Sequence, residues 1–136
     1  MVGLAAGLAS SEHAAGRRAL LALATEHRLL VSEVCDYELR RELIPIGAST
    51  SLRRLDEVSR ELVYVPVTTT HWRAAAGLWA ALRNQGRPGA PPASLDGDVL
   101  LAAQARSEDA AIVTANPGHF RDLCDVLTLA ELHPNL

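Results

Sequence analysis

Apolar and polar positions along the chain follow two periods, one typical of strands and one typical of helices. Short apolar runs bounded by turn residues predict strands at 28–32, 62–67, 110–115 and 125–129. Apolar residues at helical spacing predict helices at 10–27, 33–43, 51–62, 70–86 and 94–105, with a short helix after the turn near residue 116. Within the first helix, Leu20, Leu21 and Leu23 are expected on the inner side. The segment 86–94, dense in Pro and Gly, is expected to be a loop.

Strands that alternate with helices indicate an α/β fold with a parallel sheet. Ser32 stands between a predicted strand and a predicted helix, and serine is a favoured N-cap. Such a short connection brings the start of the helix to the carboxyl edge of the sheet. Open α/β sheets bind their ligands at that edge, so this is where we expect the functional site.

The composition is that of one ordinary globular domain. The chain has 136 residues and is 49% hydrophobic but only 4% aromatic, so its core must be built from aliphatic side chains. A net charge of -3 does not indicate a nucleic-acid-binding surface. All 13 basic residues are arginines, which suit phosphate contacts, although we attribute this preference chiefly to genomic base composition.

The cysteines and the termini bear on the compartment. Cys35 and Cys124 are far apart and form no Cys-x-x-Cys pair, so neither a disulfide framework nor a structural zinc site is expected. A reducing cytoplasm fits best. No apolar run reaches the length of a membrane span. The first residues lack the positive region of a signal peptide, so a cytoplasmic protein without a membrane partner is predicted.

Asp96 and Asp98 stand at the start of a run that is otherwise almost wholly apolar. Acids in a first helical turn gain about 0.3–1 kcal/mol from the helix dipole, and this explanation suffices for Asp96. Asp98 shares a face with Leu101, Ala102 and Ala105, a face that packs inward. A carboxylate placed there is unfavourable by several kcal/mol unless it is paired or coordinates a metal.

The local sequence does not decide the roles of two further polar residues, Glu38 and Asn116. Glu38 lies in a predicted helix with several other acids, and the periodicity does not distinguish it from its solvated neighbours. Asn116 follows a predicted strand and precedes Pro117 and Gly118, which is typical of a turn residue. An amide at such a position can also orient a metal-bound water.

Three motifs follow one another along the chain: SEVCDYEL, LDGDVLLAAQA and IVTANPGHF. Together they resemble the PIN-domain family, most often met as VapC-type toxins of bacterial toxin–antitoxin pairs. The first is similar to the family's helix with an inward Glu, the second to its Ala-rich helix opened by Asp, and the third to its strand end with Thr-x-Asn/Asp and His-Phe. The resemblance extends from about Val2 to Leu129. Each motif is weak alone, and their order and spacing carry the resemblance.

The resemblance implies a compact three-layer α/β sandwich that hydrolyses RNA phosphodiesters through an acidic cluster. By their places in the motifs, Glu38 and Asp98 would be catalytic residues that bind Mg²⁺ or Mn²⁺, and Asp96 would be an accessory metal-site acid. Asn116 would occupy the place of a fourth acid, and Thr114 would frame the pocket. The implied partners are an RNA substrate, a cognate antitoxin and a second copy of the chain in a homodimer.

The sequence departs from the family at its start. PIN domains begin with a strand that ends in Asp, whereas the first acid here is Glu12, in a helical context. We therefore predict a single domain over 1–136 that lacks its first strand, through a misassigned start or genuine degeneration. The absence of this Asp, together with Asn116 in the place of an acid, favours an alternative. This is a catalytically dead PIN-like module that binds RNA or a protein partner.

The remaining candidates are the histidines, two tryptophans and two arginines. The five histidines form no His-x-x-x-His pair, so a zinc hydrolase is not expected. Trp72 and Trp79 lie seven residues apart on one face of a predicted helix, where core or dimer packing is the simplest role. Arg83 and Arg87 are candidates for guiding RNA, with a solvated surface charge as the alternative.

Overall fold

The computed structural model describes residues 2–4, 21–86 and 92–132. Its strands are β1 (Val2–Leu4), β2 (Leu29–Ser32), β3 (Val63–Val65), β4 (Ala111–Val113) and β5 (Val126–Leu127). Residues 21–26 are helical and are labelled α1. The other helices are α2 (Glu33–Leu43), α3 (Ser49–Glu61), α4 (Thr69–Asn84), α5 (Pro92–Ser107) and α6 (Leu129–Leu132), and a 3₁₀ turn spans Pro117–His119.

The five strands form one parallel sheet in the order β3-β2-β1-β4-β5. Val2 of the central strand pairs with Leu29 on one side and with Ala111 on the other. Parallel neighbours require crossover connections, and the helices between the strands provide them. The predicted α/β fold with a parallel sheet is confirmed.

Helices cover both faces of this sheet. Ile112 packs into the core formed with α2, α4 and α5, whereas its neighbour Val113 packs with Leu23 of α1 and, on the same side, Leu132 of α6. Successive residues of a strand point to opposite faces, so these two cores lie on opposite sides of the sheet. The expected three-layer sandwich is therefore confirmed.

The prediction that the first strand is missing is wrong for this chain. Val2–Leu4 forms β1, which lies at the centre of the sheet. A three-residue run that contains Gly carries almost no strand signal, because that signal needs about four to eight alternating or apolar residues. Pairing with β2 and β4 defines this strand instead. The sequence then reads Ala5 and Ala6, so no Asp follows the strand.

Two element boundaries also differ from expectation. Leu21 is 50% exposed, so only Leu23 of the inner set is confirmed, and Leu20 lies outside the described residues with the predicted helix start. Helix α5 begins at Pro92, before the predicted start at Ser94. Proline is tolerated in a first helical turn because its missing N–H would have no intrahelical partner there. Residues 87–91 of the predicted loop lie outside the described residues.

Helix α5 is the central helix of the larger core and is apolar on most sides. Its buried residues include Leu95, Val99 and Ala102, and Ala102 has no exposed surface. Even so, it has 16 residues, and no helix in the described part of the chain is long and apolar enough to cross a membrane.

Candidate functional site

Helix α2 begins at the carboxyl end of β2, where a site was expected. Ser32 is its N-cap, and the Ser32 Oγ accepts hydrogen bonds from the N–H groups of Val34 (3.1 Å) and Cys35 (3.5 Å). These bonds satisfy donors that the first turn of a helix leaves without partners. The predicted cap is confirmed, and it starts α2 at a defined point on the sheet edge.

Glu38, in the second turn of α2, reaches the backbone of α5 at Gly97. A Cβ atom on Gly97 would overlap Oε1 of Glu38. Glycine inside a helix is unfavourable by about 1 kcal/mol relative to alanine, so its presence here calls for a physical reason. The missing side chain leaves the space in which the Glu38 carboxylate lies.

Asp98 is the next residue of α5, and its carboxyl group lies close enough to Glu38 for the two charges to interact. Burial raises the pKa of Asp98 to about 6; His119 opposes this shift, and the charge of Glu38 adds to it. The Asp98 side chain is only 17% exposed, and its Oδ2 lies 3.7 Å from Nδ1 of His119. The structure thus brings together two acids that are distant in sequence.

An open groove of about 1090 Å³ lies beside this pair, between α2, α4 and α5. Tyr37 and Trp72 on its wall are 61% and 58% exposed, which is unusual for large aromatic side chains. The groove therefore combines exposed aromatic rings with acidic side chains. Its wall also contains Glu38, Arg41, Trp79 and Asp96.

The sequence matches the PIN domain over residues 4–126, which is most of the chain. The chain belongs to the PIN-domain family. The matched region includes Glu38, Asp96, Asp98 and Asn116, and the resemblance inferred from the three motifs is confirmed.

Solved structures of similar fold include chains of three VapBC structures. A chain of VapBC2 from Rickettsia felis, bound to a DNA fragment from the promoter, has a TM-score of 0.74 at 18% identity, with 94% of this chain and 98% of that chain covered. VapBC-1 from nontypeable Haemophilus influenzae gives 0.71 at 16% identity, with 96% and 99% covered.

A third similar structure, DNA-bound VapBC from Salmonella typhimurium, has a TM-score of 0.57 at 19% identity, with 85% of this chain and 83% of that chain covered. At these identities, the likeness concerns the fold. No curated protein matches the sequence significantly.

The other predicted site residues of this PIN domain, Asp96 and Asn116, are both exposed. Asp96 is exposed on the groove wall, so its role as a metal ligand stays a prediction. Asn116 is exposed at the start of the 3₁₀ turn, and its backbone N–H donates to Thr114 Oγ1 at 3.1 Å. This is the geometry of the turn residue that the sequence suggested, and a catalytic role for Asn116 stays a prediction.

The residues of this PIN domain fit a divalent cation with a small protein ligand set. Among the described residues, no group of three or more His, Cys, Asp or Glu side chains converges to hold a metal. Mg²⁺, however, keeps several waters and is often bound through one or two carboxylates plus substrate phosphates. The approach of Glu38 and Asp98, with the raised pKa of Asp98, supplies such a pair.

The aromatic candidates Trp72 and Trp79 line the groove, and the basic candidate Arg83 lies against the Trp79 ring. Trp79 packs against the larger core, as suggested, whereas the exposure of Trp72 contradicts a core role for that residue. The Arg83 guanidinium lies 4.7 Å from the centre of the Trp79 ring, and that of Arg41 lies 5.5 Å from the centre of the Tyr37 ring. Arg87 is outside the described residues.

Sequence reasoning missed the contributions of Gly97, His119 and Gln104. A glycine inside a helical pattern is itself a signal of close approach, and it could have identified Gly97. His119 was considered with the other histidines as a possible zinc ligand, whereas its ring lies beside Asp98 and is 54% exposed. Gln104 is 2% exposed, and its place within the apolar run 100–105 could have indicated that it would be buried.

Proposed function

We propose that this PIN domain is a metal-dependent ribonuclease and serves as the toxin of a type II toxin–antitoxin pair. The observation that carries the proposal is the approach of Glu38 to Asp98 across α2 and α5, at the carboxyl edge of a parallel sheet. Two acids that approach each other at a ligand-binding edge are an arrangement that suits a hard cation.

The chemistry starts from the charge on these two acids. When bound, Mg²⁺ or Mn²⁺ would lower the pKa of a coordinated water and neutralise charge on the scissile phosphate. Glu38 and Asp98 would hold it, and Asp96 would contribute from the groove wall. Asp98 must first lose the proton that its pKa of about 6 allows it to keep in mildly acidic solution. The nearby His119 favours the charged carboxylate.

The groove suits a single-stranded RNA that enters beside the acid pair. Bases stack on exposed aromatic rings with little regard to sequence, and arginine contacts phosphates. Tyr37 with Arg41, Trp79 with Arg83, and the exposed Trp72 would serve these purposes. Asn116 would stand as an accessory residue at the end of β4.

The proposed partners follow from the family and from the similar structures. The similar folds occur in VapBC complexes, and we propose that a cognate antitoxin binds this chain in the cytoplasm. A homodimer is part of the same proposal, and the exposed Trp72 is a candidate contact for either partner.

The test is cleavage of a mixed single-stranded RNA by the purified chain with Mg²⁺ or Mn²⁺, and with EDTA. We expect cleavage that EDTA abolishes and that Asp98→Asn lowers by about 100-fold, because loss of a metal ligand removes several kcal/mol of transition-state stabilisation. The matched control is Asp109→Asn, which makes the same substitution at an exposed turn after α5 and should retain activity. Cleavage in EDTA, or full activity in Asp98→Asn, would contradict the proposal.

A second candidate function is an inactive PIN module that only binds RNA or a protein. The sequence after β1 favours it, since Ala5 follows the strand where the resemblance expects Asp. RNA binding in a gel-shift assay, without cleavage under any metal condition, would support this alternative over the enzyme.

A further inference from the structure

A buried polar cluster lies behind the acid pair, at the far end of the contact between α2 and α5. Its centre is Gln104, whose side chain is almost fully buried. The Gln104 Oε1 accepts a hydrogen bond from the Ser32 hydroxyl, and its Nε2 donates to the carbonyl oxygen of Val65 at 2.8 Å. One amide therefore joins α5 to the ends of β2 and β3.

The acid pair lies at the other end of the same helix contact. Gln104 and Gly97 are seven residues apart on α5 and so share a face. Ser32, at the start of α2, contacts Gln104. Glu38, in the second turn of α2, contacts Gly97. The two helices therefore run antiparallel along this contact. The distances from Gln104 to Gly97 and from Ser32 to Glu38, about 10 Å and 9 Å along the helix axes, are nearly equal.

We propose that Gln104 is a positioning residue for the Glu38–Asp98 site, an inference that rests on the proposed function. Its amide holds the first turn of α2 at a fixed height along α5, and this sets where Glu38 meets Gly97 and Asp98. Ser32 transmits the constraint because the same oxygen caps α2. Gln104 touches neither acid, so it acts only through the relative position of the two helices.

A second polar contact on α5 provides the matched comparison. The Ser107 hydroxyl donates to the carbonyl oxygen of Gln104 at 2.8 Å and lies 2.8 Å from Nε2 of His71 in α4. The contact with His71 joins α5 to α4, and neither of these two hydrogen bonds involves α2. Ser107→Ala therefore removes hydrogen bonds of the same helix while leaving the Gln104 side chain with both of its partners.

The experiment compares Gln104→Met with Ser107→Ala in the full chain. Methionine has a similar shape, but its sulfur is only a weak acceptor for the Ser32 hydroxyl and it has no donor for the Val65 carbonyl. Mn²⁺ affinity is measured by electron paramagnetic resonance at a temperature where circular dichroism shows each variant folded. We expect the Kd for Mn²⁺ to rise about tenfold in Gln104→Met, as for residues that orient metal ligands, and to stay within about twofold of the original in Ser107→Ala.

The position of Glu38 in metal-free crystals is the second measurement. We expect the carboxylate to leave Gly97 in Gln104→Met and to stay there in Ser107→Ala. An unchanged Kd, an equal loss in both variants, or an unmoved Glu38 would overturn the proposal. If the original chain binds no Mn²⁺, the proposed function fails, and the crystal position alone decides the role of Gln104. Gln104→Asn, too short to span both partners, replaces the Met variant if that protein does not fold.

Discussion

Helix α2 carries two acids, Asp36 and Glu38, whose surroundings differ sharply. Asp36 accepts hydrogen bonds from Arg40 at 2.9 Å and from the Tyr64 hydroxyl at 3.2 Å, and Arg40 also reaches Asp56 at 2.8 Å. Glu38 instead lies against Gly97 and beside Asp98, another acid. The first cluster pairs its acids with Arg40, whereas the second brings two acids near each other, with His119 3.7 Å from Asp98.

This difference separates a structural cluster from a candidate site. The hydrogen bonds to Asp36 and Asp56 raise the pKa of Arg40 above its ordinary value, so each charge there stabilises another. Near Glu38 it is the ionisation of a neighbouring thiol that is disfavoured. Burial raises the pKa of Cys35 to about 12, and the charge of Glu38 adds to the shift. A bound cation would stabilise two acids held close together in this way.

The largest expected difference is between neutralising Glu38 and neutralising Asp36. Glu38→Gln should lower metal-dependent RNA cleavage by about 100-fold, because it removes a ligand and the transition-state charge stabilisation that depends on it. Asp36→Asn, two residues away on the same helix, should leave cleavage within about twofold. Initial rates at saturating Mg²⁺ measure both, and equal losses would erase the distinction between the clusters.

Closing the space beside Glu38 should have a smaller effect. Gly97→Ala places a methyl group where the Glu38 carboxylate lies, and that flexible side chain must move. We expect about a tenfold weaker Mn²⁺ affinity by isothermal titration calorimetry.

Gly77→Ala in α4 is the control for this change, since a Cβ there meets nothing within 4 Å. It should stabilise the protein by about 0.5–1 kcal/mol through helix propensity alone and leave metal affinity unchanged. If the two variants bind Mn²⁺ equally well, the close approach of Glu38 to α5 has no functional consequence.

The pH dependence of stability should also distinguish the acid pair. The pKa of Asp98 is raised from 3.8 to about 6, so between these values the folded metal-free protein binds more protons than the unfolded chain. Its contribution to the free energy of unfolding therefore falls as the pH rises from about 4 to 6, by roughly 2 kcal/mol. Urea unfolding of the original chain and of Asp98→Asn measures this difference. Parallel pH profiles of the two proteins would mean that the pKa of Asp98 is not raised by folding.

The smallest expected effect concerns the cluster around Arg40. Asp36→Asn weakens the ion pair with Arg40, whose side chain is 34% exposed, and partly exposed pairs contribute about 0.2–1 kcal/mol. Thermal unfolding should show a loss in that range at neutral pH. Glu38→Gln should instead raise the unfolding temperature of the metal-free protein, because it removes repulsion from Asp98. The same sign for both substitutions would contradict the comparison.

Much of the fold was predictable because its signals are local. The strand Leu29–Ser32, the Ser32 cap and helix α2 follow from an apolar run next to a capping residue. The central strand Val2–Leu4 was not predictable in this way, since pairing with β2 and β4 defines it. Tertiary pairing is not encoded in the periodicity of three residues.

The candidate site was predictable only in part, for a related reason. Asp98 could be singled out because an acid on an apolar helix face is unusual. Glu38 came from the resemblance, as its own helix has many acids. The contact of Glu38 with Gly97 and the hydrogen bond between Ser32 and Gln104 join residues about 60 and 72 positions apart, and no local pattern encodes such pairs.

The central claim is that Glu38 and Asp98 share one divalent cation. The most direct measurement is an anomalous difference map from crystals of the chain soaked in MnCl₂, with data collected near the manganese edge. We expect one strong peak within bonding distance of a carboxylate oxygen from each residue. A map with no peak at this place, or with manganese bound to one acid while the other has turned away, would contradict the claim.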